Sequence, residues 1–305
     1  MTIEETCSWL DEAVRDLELL PTLAGGGVGR RLGAAVARLA RMNGGAGLRD
    51  AFTRPGTTPF VRLVDAAARD LRLTGDNRVS LIGRSTALLY LYVRLQDDLV
   101  DEETVVDRAS VFAMEFVLAH HLTMLSQAGL SERAFGVRGE VMASFARVAA
   151  DEVDLRERGL CLPAERLGDK FLPMAVPLVA LASAAGREDL TESLVDWVRA
   201  IGGALQQVND VLNAAEDRAL GRPTALLSAV APEVRALEGN ALRAGLLADP
   251  ATRAALESAR HATEEARTRA MSLGLGELAQ LAGGVTYNIV RTEERLLAIM
   301  LGAPV

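Results

Sequence analysis

The sequence predicts an all-α protein: one helical bundle built around a central apolar cavity. Three observations predict it. Apolar residues recur at three- and four-residue intervals along almost the whole chain, the repeat of a helix with one buried stripe. Ala, Leu, Glu and Arg, all strong helix formers, dominate, while 4% of residues are aromatic and β-branched runs are rare. Gly and Pro clusters fall where such helices should stop. Half of the 305 residues are apolar, ample for one large core. The length exceeds the usual ~100–200 residues per domain, yet no linker-like segment divides the chain, so residues 1–305 read as a single domain.

About eleven helices are expected, in the following order. The first two, 3–20 and 29–43, are parted by Gly25 to Gly27, and the second stops at Gly44 to Gly47. Pro55-Gly56 precedes 58–73, and Gly75-Asp76 ends it. Helices over 78–101 and 105–127 follow, the latter ending before Gly129, and Gly159 closes 131–158. Gly186 closes 163–185, Gly221 to Pro223 follow 189–218, and 232–246, 250–272 and 275–300 complete the chain. Ser80 to Leu95 and Leu172 to Ala185 are apolar nearly all round, which predicts helices at the centre of the bundle. No repeat of 30–45 residues is present, which argues against a solenoid.

Composition excludes several functions. The net charge is −8 with no dense Lys/Arg block, so nucleic-acid binding has no electrostatic footprint. Cys7 and Cys161 are far apart and lack CxxC spacing, as for reduced thiols of a cytoplasmic protein. The acidic, amphipathic start MTIEETCSWLDEAV is unlike a secretory signal. The most apolar stretch, Phe171 to Gly186, contains two prolines and falls short of the ~20 residues a bilayer needs. No transmembrane segment is expected. His120, His121 and His261 show no metal or triad spacing and read as structural.

Two segments carry chemistry. In Gln96-Asp97-Asp98-Leu99-Val100-Asp101-Glu102, helical spacing puts Asp97, Asp98 and Asp101 on one face, at the mouth of an apolar helix. Packed carboxylates repel without a cation, and Mg²⁺ takes hard oxygen ligands from one or two carboxylates plus phosphates. On its own the segment fits an acidic, solvated helix end equally well. In the second segment, Gln206 to Asp217, the residues Asn209, Asn213 and Asp217 fall at i, i+4 and i+8, with Asp210 beside them. Asn is a poor mid-helix residue; a buried amide pair is the other reading. Together the two segments suit a cluster of Mg²⁺ ions that clamps a diphosphate.

Asp97-Asp98-Leu99-Val100-Asp101 resembles the DDxxD motif of class I isoprenoid synthases. Ala204 to Asp217, followed by Gly221-Arg222-Pro223-Thr224, resembles the second metal-binding helix of trans-prenyl diphosphate synthases. The resemblance runs from about 78 to 224. It implies the all-α isoprenoid synthase bundle, three Mg²⁺ ions with substrate bound, a prenyl diphosphate substrate and a homodimer. Asp97, Asp98, Asn209 and Asn213 would be catalytic, and Asp97, Asp98, Asp101, Asn209, Asp210, Asn213 and Asp217 would hold the metal. Lys170 resembles the diphosphate-binding Lys of the prenyl synthases' Lys-Thr pair, with Phe171 in place of the Thr. Arg222 and Arg94 would also reach the diphosphate, Arg94 resembling the Arg before the acidic motif of squalene and phytoene synthases. Tyr92, Phe171 and Gln206 are the expected cavity residues; Tyr92 sits where elongating enzymes place a stop for the growing chain.

The reaction class turns on a second anion site. Elongating enzymes hold isopentenyl diphosphate with a GGKRxRP-like segment upstream and an Arg pair after the first motif. Here Thr57 to Arg62 and Glu102 to Asp107 offer neither. The Asn209-Asn213-Asp217 stripe also resembles the NSE-type triad of terpene cyclases. The sequence therefore favours a terpene cyclase. A trans-prenyltransferase, elongating or head-to-head, is the alternative, and a non-catalytic partner subunit is a third reading.

Overall fold

A computed structural model describes residues 9–41, 46–53, 59–100 and 108–301, without the side chains of 59, 60 and 98–100. Among these residues there are fifteen α-helices and no strand. The backbone forms two compact units, one of residues 1–139 and 173–192, the other of residues 140–172 and 193–305.

The first unit holds α1 (Leu10–Ala24), α2 (Gly26–Arg41), α3 (Leu48–Thr53), α4 (Pro59–Asp70), α5 (Asn77–Val100), α6 (Arg108–Gln127), the start of α7 (Glu132–Glu157) and α8 (Ala175–Ala184). As its apolar girth predicts, α5 is central: it packs against α1, α2, α4, α6 and α8. Every residue of α8 from Ala175 to Ala182 is buried. Trp9 lies flat on α5 at Gly83, where a Cβ would sit 2.3 Å from the indole ring. Its Nε1 donates to Asp65 Oδ1 at 3.2 Å, and Arg84 of α5 pairs with Asp16 of α1 at 2.6 Å. The apolar contact and these two polar links fasten α1 across the central helix.

In the second unit, the rest of α7 is followed by a 3₁₀ helix (Ala164–Met174) and, after α8, by the long α9 (Thr191–Ala219). Then come α10 (Ala225–Ala229), α11 (Pro232–Arg235), α12 (Gly239–Ala248), α13 (Pro250–Ser272), α14 (Gly276–Val290) and α15 (Thr292–Met300). One core gathers Val208, Val211, Ala214 and Ala215 of α9 with Leu226, Leu242, Leu246, Leu256 and Ile289.

The helix boundaries differ from expectation in places with identifiable causes. The first helix runs through Pro21 to Ala24 and stops where Gly25 turns to φ +61°; residues 1–8 lie outside the described residues. The expected helix over 163–185 is a 3₁₀ helix up to Met174 and α-helical only afterwards, with Pro173 inside the 3₁₀ part. The expected helix over 232–246 is two, α11 and α12, and 275–300 breaks at Arg291. Two short helices, α3 and α10, were not expected at all.

Among the described residues two segments, Arg108–Gln127 and Ala164–Ala184, are long and apolar enough to cross a membrane by length and composition. The second is mostly buried within the protein, whereas α6 presents much of its apolar surface outward.

Candidate active site

One motif belongs to each unit. In the first, α5 carries Tyr92, Arg94 and Asp97 in its last three turns. Arg94 Nη1 donates to Asp97 Oδ2 at 2.8 Å, an i,i+3 pair in which both side chains are partly exposed. Tyr92 is half-buried, and burial, followed by the charge of Glu115, pushes its phenol pKa up while Arg138 pulls it down. Asp98 lies in α5, but its side chain is outside the described residues, as is the whole of Asp101.

In the second unit α9 sorts its side chains by face. Val208, Val211 and Ala214 go into the core; Asn209 and Asn213 are exposed on the other side, with Asp217 half-buried two turns on from Asn209. Asn213 Nδ2 donates to Asn209 Oδ1 at 3.0 Å, so the two amides satisfy each other along the helix surface rather than competing with its backbone. The pair is therefore solvent-facing, which removes the buried-amide reading. Asp210 points elsewhere: it is 4% exposed and accepts 2.8 Å from Gln206 Nε2. Burial pushes its carboxyl pKa up to about 6. The Gln206 bond opposes that shift, Asp217 and Glu152 add to it, and Lys170 pulls it down.

Lys170 reaches this group through a close approach of backbones. The 3₁₀ helix lies against α9 so tightly that a Cβ on Gly168 would stand 2.2 Å from the Arg199 carbonyl oxygen, and one on Gly202 2.3 Å from Phe171 Cβ. Phe171, expected in the cavity, is thus wedged on α9 at Gly202. Lys170 is next to it, and its Nζ lies 2.8 Å from both oxygens of Glu152 on α7. Glu152 also accepts from Arg156 Nη2 at 3.4 Å. At the far end of α9, Gly221 at φ +69° closes the helix, and the Arg222 N–H bonds the Asp217 carbonyl at 2.8 Å. This left-handed glycine turn brings Arg222, five residues on in sequence, back against the end of the stripe at Asp217.

Sequence reasoning missed Glu152, which looks like one more charge on a solvated helix. A signal was available from its partner. Of the 33 Lys and Arg residues, 32 are Arg, and Lys170 is the single lysine. A compact, rotatable ammonium is used at this position alone, where every other cation is a planar guanidinium.

A divalent cation suits the donors present. They are oxygens only, hard ligands, and the raised Asp210 pKa marks a place where added positive charge is favourable. Among the described residues no three His, Cys, Asp or Glu side chains are grouped to hold a metal. A cation here would complete its shell with amide oxygen, water or phosphate, as Mg²⁺ does.

No protein-family model matches the chain, and no curated protein does. Solved structures do. Geranylgeranyl pyrophosphate synthase from Corynebacterium glutamicum, complexed with isoprenyl diphosphate and magnesium, is 18% identical. That match covers 96% of this chain and 98% of the synthase, with a TM-score of 0.60. The Lactobacillus brevis geranylgeranyl pyrophosphate synthase is 15% identical over 95% and 97% of the two chains, TM-score 0.66. A Caulobacter crescentus polyprenyl synthase, complexed with calcium and isoprenyl diphosphate, is 20% identical over 91% and 97%, TM-score 0.59. What is shared at these identities is architecture: the chain has the all-α fold of the class I isoprenoid synthases.

Proposed function

We propose that the chain is a Mg²⁺-dependent enzyme that ionises an allylic prenyl diphosphate and passes the prenyl cation to a second prenyl diphosphate, as a trans-prenyltransferase. The observation that carries this is the grouping of Lys170, Glu152, Asp210 and Asp217 around α9, on a fold whose solved representatives above are prenyl diphosphate synthases. The sequence alone favoured cyclisation; the fold comparisons favour transfer.

In this reading the C1–O bond of the substrate breaks heterolytically, and its electron pair leaves on the diphosphate oxygen. Lys170 and Arg222 hold that oxygen-rich group, the Lys as a point charge and the Arg as a planar fork. Arg94 is assigned the same task beside Asp97. Asp97, Asp98 and Asp101 in the one unit and Asn209, Asp210, Asn213 and Asp217 in the other are the oxygen donors assigned to Mg²⁺, three ions in all, which would supply Lewis-acid charge to phosphate oxygens. Tyr92 of the first unit and Gln206 of the second are assigned to contact with the prenyl chain, and exclusion of water there would keep the cation from being quenched early. A double bond of the second substrate attacks the cation, and loss of a proton restores an alkene. The enzyme acts in the cytoplasm as a homodimer.

A specific observation keeps cyclisation as the second reading. The exposed Asn209–Asn213 pair replaces carboxylates that elongating enzymes carry at these positions. The test is a product assay with Mg²⁺ and geranyl, farnesyl or geranylgeranyl diphosphate, each with and without isopentenyl diphosphate. A longer diphosphate formed only with isopentenyl diphosphate, and abolished by Lys170→Ala, supports transfer. A hydrocarbon or terpene alcohol from a single substrate would replace it with cyclisation. Release of pyrophosphate from none of them would sink both.

A further inference from the structure

We propose that Glu152 is a positioning residue that stores the Lys170 ammonium in the free protein and makes its release to a diphosphate conditional on bound divalent cations. The inference rests on the reading of Lys170 as a diphosphate ligand. Its motive is geometric. Nζ stands 2.8 Å from both Glu152 oxygens, a symmetric charge-assisted contact between two side chains that are each less than a quarter exposed. The same ammonium acts on Asp210, and so does the Glu152 carboxylate. Lys170 is thus bonded to Glu152 of α7 and acts at a distance on Asp210 of α9, whose charge Asp217 and Glu152 also feel.

Consider a bare diphosphate arriving at this group. To take Lys170 it must draw the ammonium from Glu152, which keeps its longer 3.4 Å contact with Arg156 but then faces, together with Asp210, an anion of its own sign. Like charges at such range oppose binding. Cations that neutralise Asp210 and Asp217 remove that opposition and let the ammonium turn to phosphate. Glu152 then acts as the counterweight that prevents metal-free anions from occupying the site. A lysine suits the exchange, because its head can swing on a four-carbon stem where a bidentate guanidinium would stay locked to the carboxylate.

The experiment measures inorganic pyrophosphate affinity calorimetrically, with and without Mg²⁺, for the wild type and for Glu152→Gln. Removing the charge is expected to tighten metal-free binding. The gain in affinity that Mg²⁺ confers should then shrink about fivefold or more, the lower end of couplings between linked sites. In a Lys170→Ala background, where direct repulsion between Glu152 and the anion is what is left, the substitution should change that gain clearly less. Because Lys170 is the single lysine, reductive ¹³C-dimethylation, which keeps the charge, labels it with only the N-terminal amine beside it. Its resonance should move in Glu152→Gln without any ligand. An unmoved resonance, or an unchanged Mg²⁺-linked gain in a wild type that does bind pyrophosphate, overturns the proposal and leaves the function standing. A wild type that binds no pyrophosphate in either state overturns the function and this inference together.

Discussion

His121 is 1% exposed, and its Nδ1 lies 2.7 Å from Ser85 Oγ and 3.0 Å from the Ser85 carbonyl oxygen. Nε2 is buried and has no hydrogen-bond partner among the described residues. Burial takes its pKa from 6.5 down to about 4; the Ser85 carbonyl resists the shift and the nearby Arg138 guanidinium adds to it. A group whose folded pKa is depressed binds more protons unfolded than folded between those two values. Stability is therefore intact above pH 6.5 and is lost as pH falls toward 4, by roughly 2 kcal/mol between pH 7 and 5 from this residue alone. Denaturant titrations at the two pH values should show that loss. In His121→Asn, which retains a polar atom near the Nδ1 position but does not titrate, the midpoint should be lower at pH 7 and its fall to pH 5 clearly smaller. An unchanged pH slope would mean that other groups carry it. The sequence reading of His121 as structural agrees with its place in the core, but nothing in the spacing signalled so deep a burial. That depends on α5 and α6 meeting at Ser85.

At the scale of elements, the approach of the 3₁₀ helix to α9 decides where Lys170 ends up. Gly168→Ala puts a methyl 2.2 Å from the Arg199 carbonyl oxygen, a backbone atom that cannot rotate away. Overpacking of this kind costs about 1–3 kcal/mol, and the whole turn bearing Lys170 must shift. Gly136→Ala in α7, which meets nothing within 4 Å, is the control. It should gain up to ~1 kcal/mol from helix propensity. Thermal melts should therefore move in opposite directions for the two variants, and Mg²⁺-pyrophosphate binding should weaken only for the first. Equal melts would show that the 3₁₀ helix yields without cost. This contact also marks where sequence legibility ends. The centrality of α5 and the burial of α8 were legible because both helices are apolar all round. The face of α9 was legible from the i, i+4, i+8 stripe. The 3₁₀ segment was not, since Leu167, Phe171 and Met174 keep helical i, i+4, i+7 spacing there and the constraint comes from Pro173 and from a neighbour distant in sequence. The break before α12 falls at Gly239, at φ +51°, whereas the break at Arg291 carries neither Pro nor Gly. Glu152 was illegible for the same reason: its partner lies on another element, and only the lone lysine hinted at it.

At the scale of the whole molecule, α6 has an unbalanced surface. Val111 is 46% and Phe112 61% exposed, one turn after the helix begins, while Ala113, Val117 and His121 face inward. An exposed Phe beside an exposed Val gives a small apolar contact point, and the proposed homodimer would supply its partner. In a two-fold dimer the same face of α6 meets its own copy, so one substitution acts twice. A stable interface needs about 1,000 Å² or more of buried surface, and a carboxylate placed at its apolar centre would lose its water without gaining a counterion. Phe112→Asp should accordingly convert a dimer in sedimentation analysis to a monomer. The fold, read by circular dichroism, should be retained, since Phe112 contributes little to the core of its own chain. Phe112→Leu should remain dimeric. A wild type that sediments as a monomer at micromolar concentration would sink the homodimer. If it also bound lipid vesicles, and Phe112→Asp abolished that, the apolar face of α6 would be a membrane contact, at which a water-insoluble prenyl product has somewhere to go.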